Sequence, residues 1–353
     1  MLILGIESTC DETGAGIVRD GRRILANVVS SSAKLHQKYQ GVVPEIAARE
    51  QVRVIVPVLN EALRQAQSKL NEIDAIAVAY GPGFVGSLLV GVETAKTLAL
   101  VWKKPLTCVN HLIGHVYANW LTVNREPKTV NLPQFPIVAL IVSGGHTDLI
   151  LMKDHGKYGW LGGTRDDAAG EVFDKVARVL GLGYPGGDEI ERAAQQLTAD
   201  NLPSDAKALA GSQLTFNFPR PMIGDNTFDF SFSGLKTSVV NYVSQVSDVC
   251  GQVPAIAVKF QDAIVDVLVK KTLRAAETYS AKSVVVGGGV AANEYLRDQF
   301  SVINSQLGIP VFFPSKGLAT DNGAMIAAAA FYLKKRVDSL KLQADPGLNF
   351  NDI

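Results

Sequence analysis

Residues 3–21 read ILGIESTCDETGAGIVRDG, and residues 138–156 read VALIVSGGHTDLILMKDHG. Laid over each other, they repeat one plan: an apolar run, a small polar turn, a second apolar run and a charged turn closed by glycine. Each reads as a β-hairpin. The tips carry Ser8-Thr9 in one copy and Ser143-Gly144-Gly145 in the other, and residues that small let backbone N–H groups come close to an anion. A second correspondence follows each hairpin. AIAVAYGPG (75–83) and SVVVGGGVA (283–291) are short apolar strands running into a glycine turn, with helical stretches expected at 86–101 and 291–300. Four such turns in duplicated order predict an α/β chain built from two halves of related design.

Facing hairpin tips with a glycine turn beside them are how actin, the heat-shock chaperone ATPases and the sugar kinases clamp a nucleotide. The expected fold is therefore actin-like and sugar-kinase-like (ASKHA), with duplicated ribonuclease-H-like domains around a central cleft. The first half is expected at 1–134, completed by a C-terminal helix at 322–336, and the second at 135–321, leaving 337–353 as a polar tail. No G-x-x-x-x-G-K-[ST] loop is present and no G-x-G-x-x-G opens a βαβ unit, so P-loop and Rossmann readings lack their motifs.

Composition bounds the function. With 353 residues, 47% of them hydrophobic and 19% charged, the chain can bury a large core. Cys10, Cys108 and Cys250 lie far apart, without a C-x-x-C pair, which fits a reducing cytosol and suggests neither disulfides nor a thiolate metal site. The apolar start MLILGIESTC is broken by Glu7 and Asp11 and lacks a basic n-region. No later stretch offers the ~18 uninterrupted apolar residues of a membrane span, so a cytoplasmic location without a membrane is expected. Thirty-four basic and 34 acidic residues balance, which argues against a stand-alone nucleic-acid-binding module. Basic clusters at Arg22/Arg23, Lys34/Lys38, Lys103/Lys104 and Lys270/Lys271/Arg274 each read as solvated surface when taken singly.

The stretch KPLTCVNHLIGHVYANWL (104–121) carries a metal signature. An apolar strand ends at Val109, Asn110 can cap a helix, and His111 and His115 follow at i and i+4 on one helical face. Between them stand Leu112, Ile113 and Gly114, so the glutamate base of an H-E-x-x-H peptidase helix is missing. Asp321 in LATDNGAMIAAAAF (318–331) is the best candidate for a third ligand, and equally reads as the N-cap carboxylate of an Ala-rich helix. Two imidazoles and a carboxylate suit Fe(II) or Zn(II) and leave positions open for a substrate.

GIESTCDET, GVVPEIAAREQ, GPGFVGSLLVGV, NHLIGHVYA, VSGGHTDL, DDAAGEVFDKVARVLGLGYPGG, FSFSGLKT, GGGVAAN and TDNGAM follow in this order from about residue 3 to 336. Together they resemble the TsaD family, bacterial relatives of the catalytic subunit of the KEOPS complex. The segment TADNLPSDAKALAGSQL (198–214) is longer and more polar than that family's pattern. The resemblance implies His111, His115 and Asp321 as ligands of one divalent metal. It implies Ile141, Val142, Ser143, Gly144 and Gly145 around the phosphate and acyl part of threonylcarbamoyl-AMP, with Asp174, Gly187 and Asn293, and Glu191 beside them, at its ribose and adenine. A competing reading of Asp174 is a helix-surface partner of Arg178. The implied reaction is threonylcarbamoyl transfer to adenosine 37 of tRNAs reading codons that begin with A, with a TsaB-like paralogue and a TsaE-like ATPase as partners. It assigns no catalytic general base. The rival classes are a metallopeptidase, which lacks its base, and an ATPase or kinase of the same fold, which binds Mg²⁺ through carboxylates and waters rather than imidazole pairs. A non-enzymatic scaffold, the third, would leave the cleft residues dispensable.

Overall fold

The computed structural model describes residues 1–122, 131–197, 216–246 and 248–350. The segment 198–214 singled out above lies outside the described residues. Both hairpins form. Strand β1 (Leu2–Glu7) pairs antiparallel with β2 (Glu12–Arg19), which pairs with β3 (Arg23–Ser31), and the short helix α1 (Ala33–His36) follows. Helix α2 (Pro44–Gln65) leads to β4 (Ala75–Gly81), which runs parallel to β1; α3 (Val85–Trp102) then leads to β5 (Leu106–Asn110), parallel to β4. The second half repeats this. Strand β6 (Ile137–Val142) pairs antiparallel with β7 (Thr147–Asp154), and β7 with β8 (Lys157–Gly163). Helices α5 (Ala169–Val179), α6 (Gly186–Gln195), α7 (Ser233–Gln245) and α8 (Val249–Thr278) precede β9 (Ser283–Gly287), which is parallel to β6. A 3₁₀ turn (Gly289–Ala292), α9 (Glu294–Leu307) and β10 (Val311–Phe312) complete that sheet.

The two sheets have matching strand order, β5-β4-β1-β2-β3 and β10-β9-β6-β7-β8. The duplication read from the sequence is therefore one of topology, hairpin for hairpin and crossover for crossover. The helical stretch expected at 291–300 is split, its start being the 3₁₀ turn and its remainder the first half of α9.

Alternation explains how both faces of each sheet are covered. In β1, Leu2, Leu4 and Ile6 face the core under α2 and α3, while Ile3 faces a central core shared with α4 (His111–Tyr117) and α10 (Gly323–Leu333). In β6, Val138, Leu140 and Val142 pack beneath α5 and α8, whereas Ile137, Ala139 and Ile141 join that same central core. The central core thus joins the two halves. Helix α10, GAMIAAAAFYL, is rich in alanine, and its start lies against the backbone of Gly5 and Gly16, where any side chain would collide with it. Strand β11 (Arg336–Val337) then adds to the outer edge of the first sheet beside β5. Beyond it Leu342, Leu348 and Phe350 are buried, and the Asp345 N–H donates to the Tyr80 carbonyl. Helix α3 is long and apolar enough to cross a membrane by composition. Here it buries Leu88, Val92, Ala95 and Ala99 and carries a Glu93–Lys96 ion pair at mid-length.

Candidate metal centre and nucleotide cleft

Strand β5 ends at Asn110, whose side-chain oxygen accepts from the N–H groups of Leu112 and Ile113 at 2.8 and 3.3 Å. That cap starts α4 at His111, as its sequence foretold. The two Nε2 atoms of His111 and His115 lie 3.2 Å apart. Asp321 Oδ1 stands 3.1 Å from His115 Nε2 and 3.6 Å from His111 Nε2. All the ligand atoms of this trio fall within 4.8 Å of one another, with both histidines buried. Asp321 does not cap α10. Asn322 does, accepting from the Met325 N–H at 3.0 Å, which leaves the carboxylate one residue upstream free to face the imidazoles. Packing of α10 on α4, with Met325 and Ile326 against Gly114, brings the two sequence-distant parts together.

Glu7, at the end of β1, is fully buried and holds His111 Nδ1 at 3.0 Å while accepting from the Thr9 N–H at 2.7 Å. Thr9 Oγ1 also reaches His111 Nδ1, at 3.1 Å. A carboxylate on Nδ1 keeps the proton there and turns the Nε2 lone pair to a cation, the usual arrangement behind a metal-bound histidine. The residues present therefore fit a three-ligand cation site with open positions. Burial opposes charge on His111, but Glu7 and Asp321 outweigh it and lift its pKa to about 9. Burial works against the Asp321 carboxylate too, yet His111 and His115 bring it down to about 2.

Sequence reading missed Glu7, Thr9 and His146. The signal for Glu7 was a carboxylate closing an otherwise apolar strand, ILGIE. His146 closes the β6–β7 turn, its carbonyl accepting from the Ser143 N–H at 2.8 Å. Burial, then the nearby His111 and His115, push its pKa down to about 4, so it sits neutral beside the trio.

The other expected residues all lie in the second half. Ile141 and Val142 are fully buried with their side chains in the core, so the turn presents the backbone of Ser143, Gly144 and Gly145, with open space at both glycines. Gly288, at φ +96°, lies hard against the Val142 carbonyl, and Gly287 against that of His115. The nucleotide-type turn, the hairpin tip and the metal helix are thereby in contact. Asp174 is not the surface partner of Arg178: it accepts from the Gly186 N–H at 2.7 Å, while Arg178 donates to the Gln40 carbonyl. Burial raises the Asp174 pKa. Glu191 accepts from the Glu294 N–H at 2.7 Å. Asn293 caps the start of α9 at Leu296 and donates to Gln261 Oε1 at 3.0 Å. Gly187 is open. Asp174 borders a cavity of about 330 Å³ between the halves, with Gln37 and Gln40 on one wall and Arg178 and Tyr184 on the other.

Fold and geometry define an actin-like α/β chain with a cluster of two imidazoles and a carboxylate that could hold a metal ion. The fold is shared with full-length HypF in its phosphate- and nucleotide-bound form, at TM-score 0.57 and 13% identity, covering 94% of this chain and 46% of that one. It is shared also with component A of (R)-2-hydroxyglutaryl-CoA dehydratase from Acidaminococcus fermentans, at TM-score 0.50 and 16% identity over 94% and 98% of the two chains. Residues 23–328 match the family TsaD, tRNA N6-adenosine threonylcarbamoyltransferase. Proteins of that name from Thermomicrobium roseum and Moorella thermoacetica are 50% and 48% identical, covering 95% and 99% of this chain and 93% and 97% of theirs. The chain belongs to the TsaD family of tRNA N6-adenosine threonylcarbamoyltransferases.

Proposed function

We propose that this transferase moves the threonylcarbamoyl group of threonylcarbamoyl-AMP to N6 of adenosine 37 in tRNAs reading codons that begin with A. The observation that carries the reading is the His111, His115 and Asp321 trio, oriented by Glu7 and set beside the bare 143–145 backbone within a TsaD-family chain. The adenosine amine attacks the carbamoyl carbonyl, the carbon–oxygen bond to phosphate breaks, AMP leaves and the amine releases a proton. An amine of this kind is a poor nucleophile, so the electrophile has to be activated. His111, His115 and Asp321 would hold one Fe(II) or Zn(II), which supplies Lewis-acid polarisation and a fixed point for the threonyl end. The N–H groups of 143–145 stabilise the departing phosphate. Asp174, Gly187, Glu191 and Asn293 hold the ribose and base.

The halves of this reading are 1–134 with 322–336, and 135–321, the cleft lying between them. A cytoplasmic location suits a tRNA substrate, and a TsaB-like paralogue and TsaE-like ATPase are the expected partners of a TsaD-family chain. Peptide hydrolysis is disfavoured because Leu112, Ile113 and Gly114 occupy the positions between the histidines, and Glu7 is fully buried and already engaged at His111 Nδ1. The test is reconstitution with pre-made threonylcarbamoyl-AMP and unmodified tRNA, followed by nucleoside mass spectrometry. Absence of threonylcarbamoyl-adenosine with metal-loaded protein and its partners would overturn the reading.

A further inference from the structure

Three turns that are distant in sequence meet at the ends of the hairpins opposite their tips. Arg22, between β2 and β3, donates from Nε to Tyr332 Oη at 3.1 Å. The ring of His155, between β7 and β8, stacks on Tyr332 with centroids 4.3 Å apart. Gly156 lies against Leu333, and Gly21 against Phe331. The turns 20–23 and 153–157 therefore meet the end of α10 at 331–333, with Lys334 and Lys335 directly after it. Together they hold Arg22, Arg23, Lys153, Lys157, Lys334 and Lys335 against two acids, Asp20 and Asp154. Asp20 is paired with the chain's terminal amine at 2.5 Å and Asp154 with Lys157 at 3.7 Å. Arg23, Lys157, Lys334 and Lys335 are exposed. A chain with no net charge has gathered a local excess of cations here, including the Arg22/Arg23 pair that read by itself as ordinary surface.

We infer that this surface binds the phosphate backbone of tRNA. This rests on the tRNA substrate of the proposed function. The cations lie on turns of unrelated sequence and are fastened by the Arg22, Tyr332 and His155 contacts, an arrangement suited to a polyanion rather than to one small anion. Strand β2 is eight residues long and β7 likewise, so at ~3.3 Å per residue the surface stands roughly 25 Å from the hairpin tips. It therefore meets the tRNA away from the reacting adenosine. Binding at such a place affects capture of the tRNA and its salt dependence, and leaves the chemical step alone.

The experiment compares the wild type with R23E/K334E/K335E and with the neutral R23Q/K334Q/K335Q. Transfer from pre-made threonylcarbamoyl-AMP is measured with partners present, over a salt series, beside melting temperature, metal content and AMP affinity. KM for tRNA is expected to rise about tenfold or more at ~150 mM salt in the charge-reversed variant, and less in the neutral one. The slope of log affinity on log salt should become shallower by roughly 0.7–0.9 for each phosphate that the variant no longer neutralises. AMP affinity, metal content and kcat should stay near wild type. An unchanged KM and slope, with the wild type active, would overturn the inference and leave the proposed function standing. Loss of a protein partner with unchanged tRNA binding would overturn it as well, in favour of an acidic protein. A wild type without transfer activity would count instead against the proposed function.

Discussion

The two hairpins share strand plan, pairing and place in their sheets, yet their tips have opposite chemistry. The first tip is crowded with side chains: Glu7, Ser8, Thr9, Asp11 and Glu12, most of them buried. It is bolted from outside. Gln51 of α2 donates to the carbonyls of Ser8, Cys10 and Glu12 at 3.4, 3.0 and 3.1 Å, and Ser87 of α3 donates to that of Cys10 at 3.0 Å. The second tip is backbone, Ser143-Gly144-Gly145, with empty space where side chains would stand. On the proposed reading, one fold element used twice backs a cation on one side, Glu7 holding His111 of α4, and offers peptide N–H groups to an anion on the other. Duplication supplied the frame, and divergence of a few tip residues divided the labour.

The sharpest way to break that comparison is to remove the cation side alone. His115→Ala and Asp321→Ala are each expected to lower bound metal to a small fraction of one per chain and transfer by at least ~100-fold. AMP affinity should stay within about threefold, because the nucleotide contacts proposed above lie on the other tip. Elemental analysis, calorimetric titration with AMP and single-turnover transfer read the three quantities. Retained metal in both variants would remove the site. Asn322 already caps α10, so Asp321→Ala should cause none of the ~0.5–2 kcal/mol loss that follows removal of a helix cap.

The mirror experiment spoils the anion side. Gly144→Val places a branched side chain in the open space at the bare tip, where a β-carbon on residue 144 would meet no atom within 4 Å. The fold should hold, while AMP affinity falls about tenfold, or ~1.4 kcal/mol, and metal content stays at the wild-type level. Unaltered AMP binding would move the phosphate elsewhere. An effect on stability rather than on binding is expected at the bolt. Gln51→Leu strips one donor from three carbonyls, and a loss of roughly 1–3 kcal/mol in denaturant unfolding is expected from the groups left unpaired.

These contrasts show what the sequence could and could not convey. The hairpins, the glycine turns and the His111/His115 face were legible because each depends on local spacing, with period two for strands and i, i+4 for the helix. Even the cap at Asn110 could be read. Asp321 was legible as a candidate only, because two carbonyl-bearing side chains, Asp321 and Asn322, stand side by side and local sequence does not say which one caps. Glu7, Gln51 and His146 were not legible as parts of the site. Their partners lie 104, 43 and, for the His146 environment, some 30 residues away, and only the closed sheets bring them together. Asp174, Glu191 and Asn293 were named by resemblance alone, and their bonds to Gly186, Glu294 and Gln261 show framework duties that no motif announces.

The smallest expected effect tests how far the first tip is built for a cation. Glu12 accepts from Ser31 Oγ at 3.2 Å. Burial, followed by the charges of Asp321 and Asp11, raises its pKa from 4.5 to about 10. In the unfolded chain the same carboxyl ionises near its ordinary value, so between these two limits the folded state holds a proton that the unfolded state has given up. Stability must then fall as pH rises across that window. A cation held by the neighbouring trio would relieve the strain by favouring the ionised form. Glu12→Gln keeps the shape and removes the titration. In chelator-treated protein the variant should be more stable than the wild type by at least ~1 kcal/mol at pH 8, with the gain shrinking toward pH 5. In metal-loaded protein the gain should be smaller. Urea unfolding at the two pH values, with and without chelator, gives the four numbers needed. A gain that ignores both pH and metal would mean that Glu12 is ionised and solvated, and that the crowding of the first tip has no electrostatic connection with its cation.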